Sequence, residues 1–312
     1  MHSMIQDLRY GIRSLLKHPG FSAVAVITLA LGIGANTAIF SVVNAVSLRP
    51  LSYPHADRIV YVLEGRLSDP KFEGSYSPQN FIDMRSRNHS FDSYAAVNFV
   101  SFTLTSDRQP EALNGVLASA DFGRVIGVTP ALGRWFTTEE DVAGKEHVAV
   151  ISDGLWKRGF GADPQIVGKS IQLNLEPYTV IGVMPPDDNF PSANYEVWAP
   201  LALESSRYDR GHGFLQGVAR LKPHVTVEQT RVDLQNIEEQ IKTESPSWGR
   251  DLTVRVVPLR EHLFGDLDRP LMILLGAVAV VLLVACVNVA NLMFGRATTR
   301  WKEMALRSAL GA

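Results

Sequence analysis

The sequence predicts a mixed α+β protein in which two transmembrane α-helices flank one large folded domain. Three observations carry this expectation. No Asp, Glu, Lys, Arg or His occurs in the 28 residues 21–48 or in the 25 residues 271–295. The short segments beyond these runs are basic. The roughly 220 residues between them mix strand-like and helix-like apolar patterns.

Each uncharged run, at about 1.5 Å per residue, exceeds the roughly 30 Å hydrocarbon core of a bilayer. A soluble helix averages only about 11–12 residues. A cleaved leader has an apolar core of about 7–15 residues, so the first run reads as an anchor and not as a leader. Residues 1–20 carry Arg9, Arg13 and Lys17 against Asp7, and residues 296–312 carry Arg296, Arg300, Lys302 and Arg307 against Glu303. The middle, 49–270, holds 23 basic and 30 acidic residues. Basic flanks predict that both ends lie in the cytoplasm and the middle outside. The lone cysteine, Cys286, falls in the second run, so the outer domain has no disulfide and rests on its own core.

The expected organisation is a cytoplasmic amphipathic helix at 1–20, a first span at 21–48, an outer domain at 49–270, a second span at 271–295 and a cytoplasmic segment at 296–312. In the first helix Ile5, Leu8, Ile12, Leu15 and Leu16 share a face, with Arg9, Arg13 and Lys17 on another. In the first span Ala30, Gly34 and Ala38 recur every four residues, a spacing that lets helices approach closely in lipid, although spans are rich in small residues in any case. Asn36 and Asn44 would each need a hydrogen-bond partner there.

Within the outer domain, strands are expected at 59–63, 148–151, 214–221 and 252–257. Val97, Phe99, Phe102 and Leu104 suggest a strand with a phase slip. Ser170 to Asn174 and Tyr178 to Val183 read as a hairpin around Leu175-Glu176-Pro177. Ser77 before Pro78, Ser152, and Thr226 with Gln229 are helix-start signals, and Leu234, Ile237 and Ile241 line one helix face. Strand–helix–strand at the C-terminal end with a strand-rich middle suggests an α+β domain carrying an inserted β-rich subdomain at about 116–205.

Catalytic patterns are missing. Gly161 to Ser170 imitates a phosphate-binding loop, but Asp163 stands where the first glycine belongs, and an acid there repels phosphate. The outer histidines lack zinc spacing, and the acid pairs Glu139-Glu140 and Asp187-Asp188 read as solvated loops. No enzyme, cofactor, metal site or nucleic-acid partner is expected from these residues. The spans carry no charged side chain, which argues against passage of an ion or polar substrate between them.

Several stretches resemble one family. Asp7-Leu-Arg-Tyr-Gly-Ile-Arg13, Pro19-Gly-Phe21 and Leu29 to Ala45 resemble the opening of MacB/FtsX-type ABC transporter permeases, in the ADOP-like subgroup. Asp163 to Lys169, Tyr178 to Pro186 and Trp198-Ala-Pro-Leu201 resemble that family's periplasmic core domain. Asn288-Val-Ala-Asn-Leu292 and Arg300 to Ala312 are similar to its cytoplasmic coupling segment. The resemblance implies a two-lobed periplasmic domain in a bacterial inner-membrane protein that works by mechanotransmission. A separate cytoplasmic ABC ATPase would supply ATP hydrolysis. A homodimer or pseudo-dimer in the lipid bilayer, and a periplasmic adaptor, are the other implied partners. Arg300, Glu303, Arg307 and Gly311 become candidates for ATPase coupling, while Asn288 and Asn291 join Ala30, Gly34 and Ala38 as candidates for packing between spans. The family continues into further spans, so the chain is expected to be truncated after its second one. The competing reading is a two-span sensor with a periplasmic ligand-binding domain. Such a sensor would continue into a long heptad helix, where this chain has a short basic one.

Overall fold

A computed structural model of the chain describes residues 19–43, 51, 53–69, 71–105, 109–186, 190–204, 207–245, 249 and 251–309. The amphipathic helix expected at the N-terminus lies outside these residues except for its last two positions, and so does Asn44. The chain divides into two compact units, residues 51–263 and residues 1–50 with 264–312.

In the larger unit, β1 (Ile59–Arg66), α2 (Pro78–Arg87) and β2 (Phe91–Thr105) form one strand–helix–strand run, and β9 (Gln216–Leu221), α5 (Val227–Glu244) and β10 (Leu252–Pro258) form a second. Their strands interleave in the order β10-β1-β9-β2, all antiparallel. This is the double split β-α-β, or ferredoxin-like, arrangement. The expected helix starts are real caps. Ser77 accepts from the Asn80 N–H, and Thr226 and Gln229 close a reciprocal capping box. Leu234, Ile237 and Ile241 are buried, packed with Phe81, Met84 and Tyr94 on the helix-covered face of the sheet.

Between β2 and β9 the chain builds β3 (Glu111–Ala118), α3 (Phe122–Ile126), β4 (Leu132–Gly133), β5 (Val148–Ile151), α4 (Asp153–Phe160), β6 (Ser170–Leu173), β7 (Glu176–Val183) and β8 (Tyr195–Pro200). The pairings run β2-β3-β8-β5-β7-β6 and return to β2 where Leu104 and Thr105 meet Leu173 and Gln172, so six strands close into a ring. Phe102, Leu104, Ile151, Leu173 and Val180 fill one core of this region. Another core, with Tyr61, Phe122, Phe190 and Trp198, draws on both the ring strands and the split β-α-β strands.

One expectation is sharpened and one is corrected. The expected phase slip in β2 is present in its burial, which passes from Val97 to Phe102 and Leu104, while residues 97–104 pair with β3 in continuous register. The burial pattern changes because the covered face changes. Ala95 and Val97 belong to the aromatic core, Tyr94 and Ala96 to the helix-covered one, and Phe102 and Leu104 to the ring core. The hairpin turn is Asn174-Leu175, both at positive φ, and Pro177 already lies in β7 opposite Gln172. Paired positive φ values match the right-handed twist of the flanking strands.

The smaller unit contains α1 (Pro19–Val43) and most of α6 (Leu259–Ala309). Residues Val26–Val43 and Arg269–Asn291 are long and apolar enough to cross a membrane.

Candidate functional site

Three features of the outer unit place charge where hydrophobic strands would otherwise decide everything. The first lies where β10 becomes α6. Strand residue Pro258 is followed directly by helix residue Leu259, which is fully buried. One turn on, the His262 ring stacks on Tyr61 with centroids 3.9 Å apart. Its Nδ1 lies 3.3 Å from Glu73, which also meets Arg255 at 3.4 Å. Burial pulls the His262 pKa down against the opposing pull of Glu73.

The second is Arg220 on β9, a nearly buried guanidinium without a carboxylate in ion-pair range among the described residues. Its Nε donates to the Val125 carbonyl at 2.9 Å and one Nη to the Pro54 carbonyl at 2.8 Å. It thereby joins β9, the C-terminal turn of α3 and the turn that precedes β1. Burial lowers its pKa.

The third is a pair of carboxylates. Glu238 on α5 is 3% exposed and accepts from the Val254 N–H at 3.0 Å, with Lys242 Nζ 3.8 Å away. Glu64 on β1 pairs across from Val254. Burial lifts both pKa values to about 7, because the charged form loses hydration that its neighbours do not replace. Glu238, His262 and Arg220 were not singled out as sites from sequence. Each looks like an ordinary surface residue there, and only tertiary burial sets it apart.

The imitation phosphate loop is a turn closed on itself. Asp163 pairs with Lys169 and accepts from the Gln165 N–H at 2.9 Å, so the acid that spoils the motif is the residue that shapes the turn.

Among the span candidates, Ala30, Gly34 and Ala38 are exposed, and a side chain at Gly34 would meet nothing within 4 Å. Asn288 and Asn291 are exposed as well. The structure brings the two helices together elsewhere. Gly32 faces Leu282 and Ala285, and Asn36 Nδ2 donates to its own helix at Gly32 (2.9 Å) and across to Val278 (3.2 Å). The required partner of Asn36 is thus found, on a face two residues away from the small-residue row. Arg300, Glu303 and Arg307 are helical positions of α6, and Gly311 lies outside the described residues.

Comparison with known proteins follows the same lines. The model for the MacB-like periplasmic core domain matches residues 22–237. A macrolide export ATP-binding/permease protein MacB from Vibrio parahaemolyticus is 30% identical over 199 residues, covering 62% of this chain and 29% of the relative. Its counterpart from Azoarcus sp. strain BH72 is 25% identical across 100% of this chain and 48% of its own length. A permease-protein domain from Porphyromonas gingivalis shares the fold, with a TM-score of 0.51 at 18% identity over 66% of this chain and 93% of that domain. An α+β core domain accompanied by two helices apolar enough to span a membrane fits an inner-membrane permease component. The chain belongs to the MacB-like periplasmic core domain family, within the MacB/FtsX type of ABC transporter permease. It spans less than half the length of the curated relatives described above.

Proposed function

We propose that this chain is part of a permease that works by mechanotransmission, coupling a separate cytoplasmic ABC ATPase to movement of its periplasmic domain for export-type work. The observation that carries this reading is the junction at Pro258–Leu259. A strand of the outer unit passes into α6 with no loop between them, so a movement of the first turn of the helix reaches β10 directly. Leu259 and the His262–Tyr61 stack root the helix in the outer unit. The same helix runs through the apolar stretch Arg269–Asn291 to Ala309 and carries Arg300, Glu303 and Arg307. We assign these three, with Gly311, to docking on the ATPase, where charge placement selects the partner. Both termini are cytoplasmic in this reading, and the working form is a dimer or pseudo-dimer that can engage a periplasmic adaptor.

The test starts from tagged protein purified from its native membrane with its co-purifying ATPase. Glu303→Lys should lower ATPase recovery while leaving the outer unit folded. A Gly-Ser-Gly-Ser insertion between Pro258 and Leu259 should keep the ATPase bound and its turnover intact, yet abolish ATP-dependent changes in protease accessibility of residues 51–263. An insertion variant that still shows the full ATP-dependent change would overturn the mechanism.

A further inference from the structure

The outer unit is joined to the rest of the chain at two places. At one, β10 runs straight into α6. At the other, the chain enters at Leu51, downstream of α1, and reaches β1 through residues 53–58. Tyr53 in this entry segment is buried and packs its ring on Phe190 with centroids 5.5 Å apart. Apolar packing is non-directional, so it holds the segment without fixing its register. Two arginines supply direction. Arg220 on β9 donates from one Nη to the Pro54 carbonyl at 2.8 Å and reaches the His55 carbonyl at 3.4 Å. Arg58 returns the contact, its Nε donating to the Leu221 carbonyl at 2.9 Å. Reciprocal hydrogen bonds thus tie the entry segment to the end of β9.

Arg220 also reaches a third segment. Its Nε donates to the Val125 carbonyl at 2.9 Å, in the last turn of α3. Helix α3 leads from ring strand β3 to β4, which pairs with ring strand β7. Gly127 caps α3 at φ 69°, and a Cβ there would come within 2.9 Å of the remaining Nη of Arg220. That Nη is buried and has no hydrogen-bond partner among the described residues. The position is a costly one for a cation. Arg220 is 7% exposed, and Arg58 adds like charge nearby. For strand stability alone an apolar residue would serve better, as Val218 does two residues earlier on the same face. What a guanidinium supplies is a long side chain with five donors in one plane, able to bridge the carbonyls of separate segments.

We propose that Arg220 is a positioning residue that passes a displacement of the entry segment to α3, and so to the ring, by a route separate from the β10–α6 junction. This role rests on the mechanotransmission reading and gives the first span a path of its own. Residues 53–58 and α3 shift together because one planar group holds both. Pro54 and His55 offer successive acceptors to the same Nη, so the tie survives a small slide of the segment.

The experiment uses the full chain with its co-purifying ATPase in lipid nanodiscs. Cys286→Ala clears the background, and spin labels go on His55→Cys and Arg124→Cys, two exposed positions that flank the tie. In this labelled parent, amide exchange at residues 53–58 should respond to a non-hydrolysable ATP analogue, while the distance between the labels stays unchanged. With Arg220→Met added, exchange at 53–58 should still respond, exchange at 122–127 should stop responding, and the label distance should shift with the analogue by about 1–2 Å, the scale of helix shifts in switching proteins. Arg58→Met removes the same charge and one carbonyl bond but no contact with α3, so its labels should stay locked. Thermal unfolding checks that both variants fold, and the parent's two readouts decide alone where one does not. A label distance that shifts in the parent would overturn the proposal. So would a distance that stays fixed in Arg220→Met or shifts equally in Arg58→Met. Absence of a response at 53–58 in the parent would overturn it too, and exchange at 259–263 then separates the two readings: a response there leaves coupling through α6 standing, and silence there removes both.

Discussion

The two compact units hold their elements together by different means, because they are built for different solvents. In the outer unit, water drives apolar side chains together, and one core gathers aromatic rings from many segments. Phe190 alone contacts the rings of Tyr53, Tyr61 and Phe122 with centroids 5.5–6.1 Å apart. In the span unit, read as lying in lipid, the surroundings are as apolar as the side chains, so burial offers no comparable drive. There the described contact rests on a glycine that admits Leu282 and Ala285 and on one asparagine that donates to two carbonyls. Stability in the first unit is spread over large buried surfaces, whereas in the second a few small polar features set the fit.

The sharpest test removes surface from the aromatic core. Trp198 is fully buried, its ring lies 6.4 Å from that of Trp135, and its Nε1 donates to the Phe190 carbonyl at 3.1 Å. Trp198→Ala should destabilise the outer unit by about 3–5 kcal/mol, since it opens a cavity and strands an acceptor. Thermal and denaturant unfolding of the full chain in detergent measures this. A loss below about 1 kcal/mol would mean that the core collapses around the gap and that aromatic packing is not what holds the unit together.

How far the sequence reveals these two regions depends on the range of the interaction. Caps were legible because Ser77, Ser152 and Thr226 act within one turn of their own chain. Strands β1, β5, β7 and β10 were legible as short apolar runs. The hairpin was legible but its turn was placed around Leu175-Glu176-Pro177 and not at Asn174-Leu175; a proline is tolerated at a strand position whose N–H the ladder does not need. The change of phase along β2 was legible in the passage from Val97 and Phe99 to Phe102 and Leu104, but its cause was not, because each face of the strand meets a different core along its length, which no local period encodes. In the spans the four-residue row of Ala30, Gly34 and Ala38 drew attention, but Gly32 and Asn36 make the contact described. Periodicity reveals that a face exists, and only the partner helix determines which face is used.

A smaller effect probes buried charge in the outer unit. The folded-state pKa of Glu238 is raised to about 7 from an ordinary 4.5. The folded state therefore binds more protons than the unfolded state between these values. Stability should fall as pH rises from about 4.5 to 7 and level off above that. Glu64, raised in the same direction, adds to the slope. Glu238→Gln keeps an acceptor for the Val254 N–H and cannot ionise, so it should flatten part of the slope and gain roughly 1–3 kcal/mol relative to the parent at pH 8. An unchanged slope in the variant would show that the carboxylate is hydrated in the folded state.

The smallest expected effect lies in the spans. Asn36 donates to Gly32 within its own helix and to Val278 across the pair. Asn36→Leu removes the cross-helix bond and inserts a branched side chain near the Gly32 contact. A single interhelical hydrogen bond in a membrane averages only about 0.6 kcal/mol, because the separated helices find other partners. Cys286, the only cysteine, accepts one fluorophore, and Ala38→Cys supplies a second labelling site on an exposed position of α1. Energy transfer between the two labels, followed against increasing SDS, reports separation of the helices. The midpoint should shift by an amount corresponding to about 0.5–1.5 kcal/mol, well below the Trp198 effect. Gly32→Ala serves as the steric counterpart, since its new Cβ would lie 3.1 Å from the flexible end of Leu282 and can be accommodated by a small movement. If Asn36→Leu instead costs as much as Trp198→Ala, the span pair depends on this one polar contact far more than ordinary membrane helices do, and the contrast drawn between the two units fails.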